Sequence, residues 1–168
     1  MPTAMEVAAF FLASNPLNSI SNLKLQKLCA YAQAVSIAYL GEKMFSENIE
    51  MWELGPVVRE VYNAYKAYDD SPIPRPMLDL TPFTLQQRLV LAGVNNHYAD
   101  VFDAWGLCQQ SHREFPWKRG TNQILKDTDL KEAFAENPLV CQLRRGDAPL
   151  TESPKTVTAK EFFDALAS

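Results

Sequence analysis

The chain has 168 residues, enough for one domain with its own core, and its three cysteines are too few and too scattered to staple it. A formal net charge of −4 weighs against a dedicated nucleic-acid binder, which needs clustered lysine and arginine. The longest apolar run, Val7–Ala13, is far short of a membrane span and lacks a basic flank and cleavage site, so a cytoplasmic protein with reduced thiols is expected.

Thr3 followed by Glu6 reads as a capping box, opening a helix that runs to about Ser14, where Asn15-Pro16 stops it. Val7, Phe10 and Phe11 make that helix strongly apolar. A second helix starts after Ser21 or Asn22 and closes at Gly41, placed for a left-handed cap. Leu25, Leu28, Ala32, Val35 and Tyr39 recur at steps of three and four and form a core stripe. Lys24, Gln26, Lys27 and Gln33 fall off that stripe. Between Met44 and Glu53, Phe45, Ile49 and Met51 are set among polar neighbours, the pattern of a short strand or an extended loop. Gly55-Pro56 then reads as a helix start, because the missing proline N–H has no partner in a first turn anyway. The helix it opens runs to Tyr68, with Val58, Val61, Tyr62 and Tyr65 on one side and at least one tyrosine toward solvent.

Asp69–Pro82 carries four prolines and reads as an extended surface connection. Helices follow over about Leu85–Tyr98 and Val101–His112, the latter capped by Asp100. Pro116 and Gly120 interrupt the chain around Trp117, and a weak helix near Leu130–Ala135 precedes a Pro- and Gly-punctuated stretch from Asn137 to Pro154. Thr158 and Glu161 repeat the capping-box spacing and open a last helix. There are no internal repeats or low-complexity segments. The expected class is mainly α: a single compact helical domain over 1–168 with a short strand pair near 44–53.

Chemical signatures are sparse. Gly55-Pro56 is a poor phosphate cradle, since proline removes an N–H where a cradle needs several, and neither dinucleotide nor Walker spacing occurs. Cys108 and His112, four apart on a helix, have chelating spacing, but with His97 the only other histidine no zinc set is complete. A Cys–His hydrolase built from Cys29 or Cys108 with His112 is the enzyme alternative. The acidic pairs Asp69-Asp70 and Asp127/Asp129 read as solvated loop charges. No cofactor and no metal are expected. The aromatic residues say more: Trp52, Trp117, Tyr31 and the tyrosines at 62, 65 and 68 flank polar groups at segment boundaries, suiting either core filling or a protein-binding surface, where Trp, Tyr and Arg carry most of the energy.

Three stretches occur in order: "LKLQKLCAYAQ" (Leu23–Gln33), "FSENIEMWELGPVVREVYNAY" (Phe45–Tyr65) and "LCQQSHREFPWKRG" (Leu107–Gly120). Together they resemble the Panacea domain, the SocA-like or phage-associated GepA-type family, over roughly residues 5–120, and "VTAKEFFDAL" is similar to the family's closing helix. Matching positions are Lys27, Tyr31 and Gln33 in the first motif, Trp52, Gly55, Pro56 and Val57 in the second, and His112, Pro116 and Trp117 in the third. Ser111 stands where the family pattern has threonine, and the segment at about 121–155 is longer than a minimal domain needs.

The resemblance implies a non-enzymatic antitoxin of a toxin–antitoxin module, often carried by prophages, that neutralises a cognate protein toxin by direct stoichiometric binding. Toxins related to small alarmone synthetases are among those such domains meet. One branch of the family implies an alternative, an adaptor that delivers the toxin to a protease. Direct nucleic-acid binding and membrane association are not expected. On this reading Lys27 and Arg59 meet acidic toxin groups, Tyr62, Tyr65 or Tyr68 supply flat contact area, and the 137–154 stretch with Arg144 and Arg145 is a recognition arm.

Overall fold

Helix formation begins where Thr3 and Glu6 place it. In the computed structural model, which describes residues 1–116 and 122–146, α1 spans Ala4–Ser14, and both bonds of the capping box are made. Helix α2 spans Asn22–Leu40, capped by the Ser21 hydroxyl and closed by Gly41 at φ 78°. It is the axis of the molecule, packed against α1 and against four helices that follow: α4 (Leu85–Val94), α5 (Ala104–Glu114), α6 (Asp127–Ala133) and α7 (Pro138–Arg144). The class is mainly α, with a small three-stranded antiparallel sheet.

Central placement overturns the expectation of a one-sided α2. Every residue from Lys24 to Ala38 is buried, including Lys24, Gln26, Lys27 and Gln33. A helix enclosed on all sides has no solvent for its polar groups, so each must find a partner inside. Gln33 does so with the 44–45 backbone: its Oε1 accepts from the N–H of Met44 and Phe45, and its Nε2 donates to Phe45 O at 2.7 Å. The Lys24 ammonium donates to Ala99 O at 2.7 Å.

Gly55-Pro56 is not a helix start. Glu50–Trp52 (β1) pairs with Gly55–Val57 (β2) as a hairpin, Met51 opposite Pro56 and Trp52 opposite Gly55. Gly55 sits at φ 108°, a conformation that reverses the chain after Glu53-Leu54 and that side chains resist. Pro56 is tolerated because β2 lies at the edge of the sheet. The helix that follows, α3, is therefore shorter than expected, Arg59–Tyr65, with a 3-10 turn over Lys66–Tyr68. The third strand, β3 (Gln123–Ile124), adds to the other side of β1.

Other boundaries shift for local reasons. The helix expected to reach Tyr98 ends as α4 at Val94 and widens into a π turn over Asn95–Ala99. Asp103, not Asp100, caps α5, accepting from Gly106 N at 2.7 Å, so that helix starts and ends later than expected. The 137–154 stretch is a helix in its described half. Asn137 caps it, Pro138 occupies the first turn, and Leu139, Val140 and Leu143 are buried in the common core. The remainder of that stretch, Trp117 and the closing helix around Thr158 lie outside the described residues.

Candidate interaction groove

The hairpin is held by buried polar side chains from α2. Lys27, with no exposed surface, donates from Nζ to Pro56 O at 3.0 Å. Gln26 Oε1 accepts from Val58 N at 3.0 Å, while Gln26 Nε2 donates to Asn22, whose own amide reaches Tyr62 O. Burial lowers the Lys27 ammonium pKa to about 8, a shift that the nearby Cys108 opposes only in part. From the other side α5 presses on the hairpin. A β-carbon on Gly55 would stand 2.8 Å from Ser111 Oγ and 3.2 Å from Lys27 Cε. The Ser111 hydroxyl is itself tied to Cys108 O at 2.7 Å. The three sequence motifs therefore meet at one point: Lys27 from the first, Gly55-Pro56 from the second and Ser111 from the third.

Braced in this way, the hairpin and α3 present an aromatic cluster. Trp52, half-buried, meets the Tyr62 ring edge to face at 5.0 Å between centroids. The Arg59 guanidinium lies 5.1 Å from the centre of the Trp52 ring. Both Glu50 carboxylate oxygens accept from Arg59 at 2.8 Å, and this pairing holds the Glu50 carboxyl below its usual range. A groove of about 690 Å³ opens beside the cluster, with Trp52, Leu54, Val57 and Tyr62 as apolar wall and Lys27 at its floor. Leu54, at the hairpin tip, is 43% exposed. Tyr65 is half-buried against the core and Tyr68 exposed.

A second concavity, about 460 Å³, lies between α5 and α7 and has a mixed lining rich in polar side chains. Glu114 is its hub. The Glu114 carboxylate accepts from Tyr31 OH at 3.2 Å, Gln110 Nε2 at 2.5 Å, Tyr98 OH at 3.0 Å and Asn137 Nδ2 at 2.6 Å. Tyr31 and Tyr98 stack with centroids 3.9 Å apart, and burial, reinforced by the Glu114 charge, pushes both phenols far above their ordinary pKa.

The expected site residues thus separate. Trp52, Gly55, Pro56, Val57, Arg59 and Tyr62 come together at the hairpin. Lys27 lies beneath them, enclosed, so the expectation that its charge meets a partner at the surface gives way to an internal bracing role. Tyr31 and Gln33 are likewise internal. Arg144 is spent on the protein's own backbone, donating to Ala135 O at 2.7 Å and Ala38 O at 3.0 Å, whereas Arg145 follows it in an exposed turn. Pro116 is half-buried at the end of α5.

Cys108 and His112 sit in different environments. The thiol is 1% exposed and burial raises its pKa, the reverse of an activated nucleophile, while His112 faces outward. Among the described residues no group of three or more His, Cys, Asp or Glu is placed to hold a metal ion, and no helix is long and apolar enough to cross a membrane. Sequence reading missed Glu114, because nothing local distinguishes a carboxylate that will be enclosed by four donors from one on a solvated face. It also passed over Trp105, which is 59% exposed at the start of α5.

No curated protein and no solved structure matches the chain. A family description does: antitoxin SocA-like, Panacea domain, over residues 25–118. That span is more than half of the chain and runs from α2 through the hairpin and α3 to the end of α5, taking in every element that builds the groove. The chain belongs to the SocA-like antitoxin family and carries its Panacea domain.

Proposed function

We propose that the protein neutralises a cognate protein toxin by stoichiometric binding, and that the hairpin–α3 face is the surface that docks. The observation that carries this reading is the solvent-facing Trp52–Arg59–Tyr62 cluster on a backbone braced from beneath by Lys27 and Gln26. Aromatic and arginine side chains supply large contact area with few rotatable bonds, and a rigid support lowers the entropy lost on docking. A stable complex covers about 1,200–2,000 Å² in total, so the groove is the centre of the contact and the flanking surface of α3 its margin. Arg59, already matched by Glu50, acts as a flat lid on Trp52. Toxins of the small alarmone synthetase kind are one class of partner consistent with this arrangement.

The test is co-expression with the product of the adjacent gene. Rescue of growth, with co-elution of the two proteins on size exclusion, is the expected result, and rescue should survive His112→Ala combined with Cys108→Ala. Toxin that forms no complex, and whose level falls only when a cellular protease is present, would replace occlusion by delivery. Rescue lost in the folded His/Cys double variant would revive a chemical role.

A further inference from the structure

Three carboxylates stand at the groove: Glu53 on the hairpin turn, and Asp69 and Asp70 just after the 3-10 turn. All three are exposed, and neither ion pair found among the described residues uses any of them. The opposing cations are fewer at the surface. Lys66 is exposed beside the acids, but Lys27 is enclosed at the floor with its ammonium on Pro56 O, and Arg59 is matched by Glu50. The groove therefore joins an apolar wall to a rim of net negative charge. A solvated carboxylate is unremarkable alone; three of them bordering Trp52, Leu54 and Tyr62 make a bipartite surface with a matching complement.

Building on the antitoxin reading, we infer that the partner segment seated in this groove is basic and apolar: an aliphatic or aromatic side chain packs on Trp52, Leu54 and Tyr62, and an adjacent Lys or Arg meets Glu53 and Asp70. Apolar contact supplies the binding area, while the charge fixes register and speeds encounter. An acidic segment would meet like charge at the rim, and a small polycation would leave the aromatic wall uncovered.

The inference is tested on the full chain by isotope-edited NMR with three synthetic peptides. The first is Ser-Leu-Phe-Arg-Lys-Ser, the second replaces Arg-Lys by Glu-Glu, and the third replaces Leu-Phe by Gly-Gly. The first should move the Trp52 indole N–H resonance, assigned with Trp52→Phe, to saturation, with an affinity that weakens as salt is raised. Both other peptides should bind at least about fivefold more weakly. Glu53→Lys with Asp70→Lys should reverse the preference between the basic and acidic peptides at unchanged melting temperature. Asp69 is left in place because its φ of 48° disfavours lysine. The inference is overturned if the acidic peptide binds as well as the basic one, if shifts map away from Trp52 and Tyr62, or if no saturable shift occurs. The double charge variant should also weaken the complex with the adjacent gene product about tenfold. A complex broken by Trp52→Ala but indifferent to the charge reversal sinks this inference and leaves the antitoxin reading standing. A clear basic-peptide preference with no complex at all does the opposite.

Discussion

The two concavities of this protein differ in what their polar groups still need. In the basin around Glu114, two phenols and two amides converge on one carboxylate, and Asn137 also donates to Tyr98 OH. In the hairpin groove, the acids at the mouth lack ion-pair partners among the described residues, and a tryptophan, a leucine and a tyrosine form the wall. A satisfied network gains little from a ligand and loses much when broken, because each orphaned donor keeps its desolvation cost. A surface with unmet charge and uncovered apolar area is the converse. The basin holds α2, α5 and α7 together, and on the proposed reading the groove is where a partner docks.

The largest effect that would break this contrast is expected at the basin. Glu114→Ala strands the Tyr31 and Tyr98 hydroxyl donors, takes one partner from Asn137, and should cost about 3–4 kcal/mol in urea denaturation. The protein that remains folded should bind its partner within about twofold of wild type. A binding loss larger than the unfolded fraction accounts for would move the functional site to the basin. Next comes the junction of the three motifs. Gly55→Ala forces a β-carbon against Ser111 at a φ that side chains resist, and should lower stability by roughly 2–3 kcal/mol, read from the denaturation midpoint.

At the groove the sign of the contrast inverts. Trp52→Ala should cost about 2 kcal/mol or more in partner affinity by calorimetry, against about 1 kcal/mol in stability. Equal losses in both would make Trp52 a core residue only. The smallest effect sharpens the account of the bracing beneath. Burial holds Lys27 near pKa 8 in the folded chain, below its unfolded value, so between those two values the unfolded state binds more protons. Stability contributed by this group therefore rises with pH from about 8 toward 10. Relative to Lys27→Met, the wild type should gain about 1 kcal/mol per pH unit there, measured as the difference between paired melting curves. The paired measurement cancels the opposing titration of Tyr31 and Tyr98, whose raised values withdraw stability at still higher pH.

Elements governed by local chemistry were legible in the sequence. Thr3 with Glu6, Ser21 and Gly41 act through bonds to residues within four positions, and the structure places α1 and α2 accordingly. Gly55-Pro56 was misread for an equally physical reason. The pair suits a helix start and an edge strand alike, and what decides between them is distant: Lys27 from α2 bonding Pro56 O, and Ser111 from α5 closing over Gly55. The described part of the Asn137–Pro154 stretch, up to Gly146, holds a helix the sequence did not show, because Leu139, Val140 and Leu143 acquire their partner face only once α2 stands beside them.

The order of residues alone determined the mainly helical class, the caps of α1 and α2, and the three motifs that mark a SocA-like antitoxin domain. Tertiary structure alone decided which motif residues are enclosed and which face outward. Helical periodicity records an apolar stripe, but α2 is surrounded on every side, so Lys27 and Gln33 are buried although they fall off that stripe. Burial is a property of what packs against a side chain, and here those partners arrive from segments far along the chain.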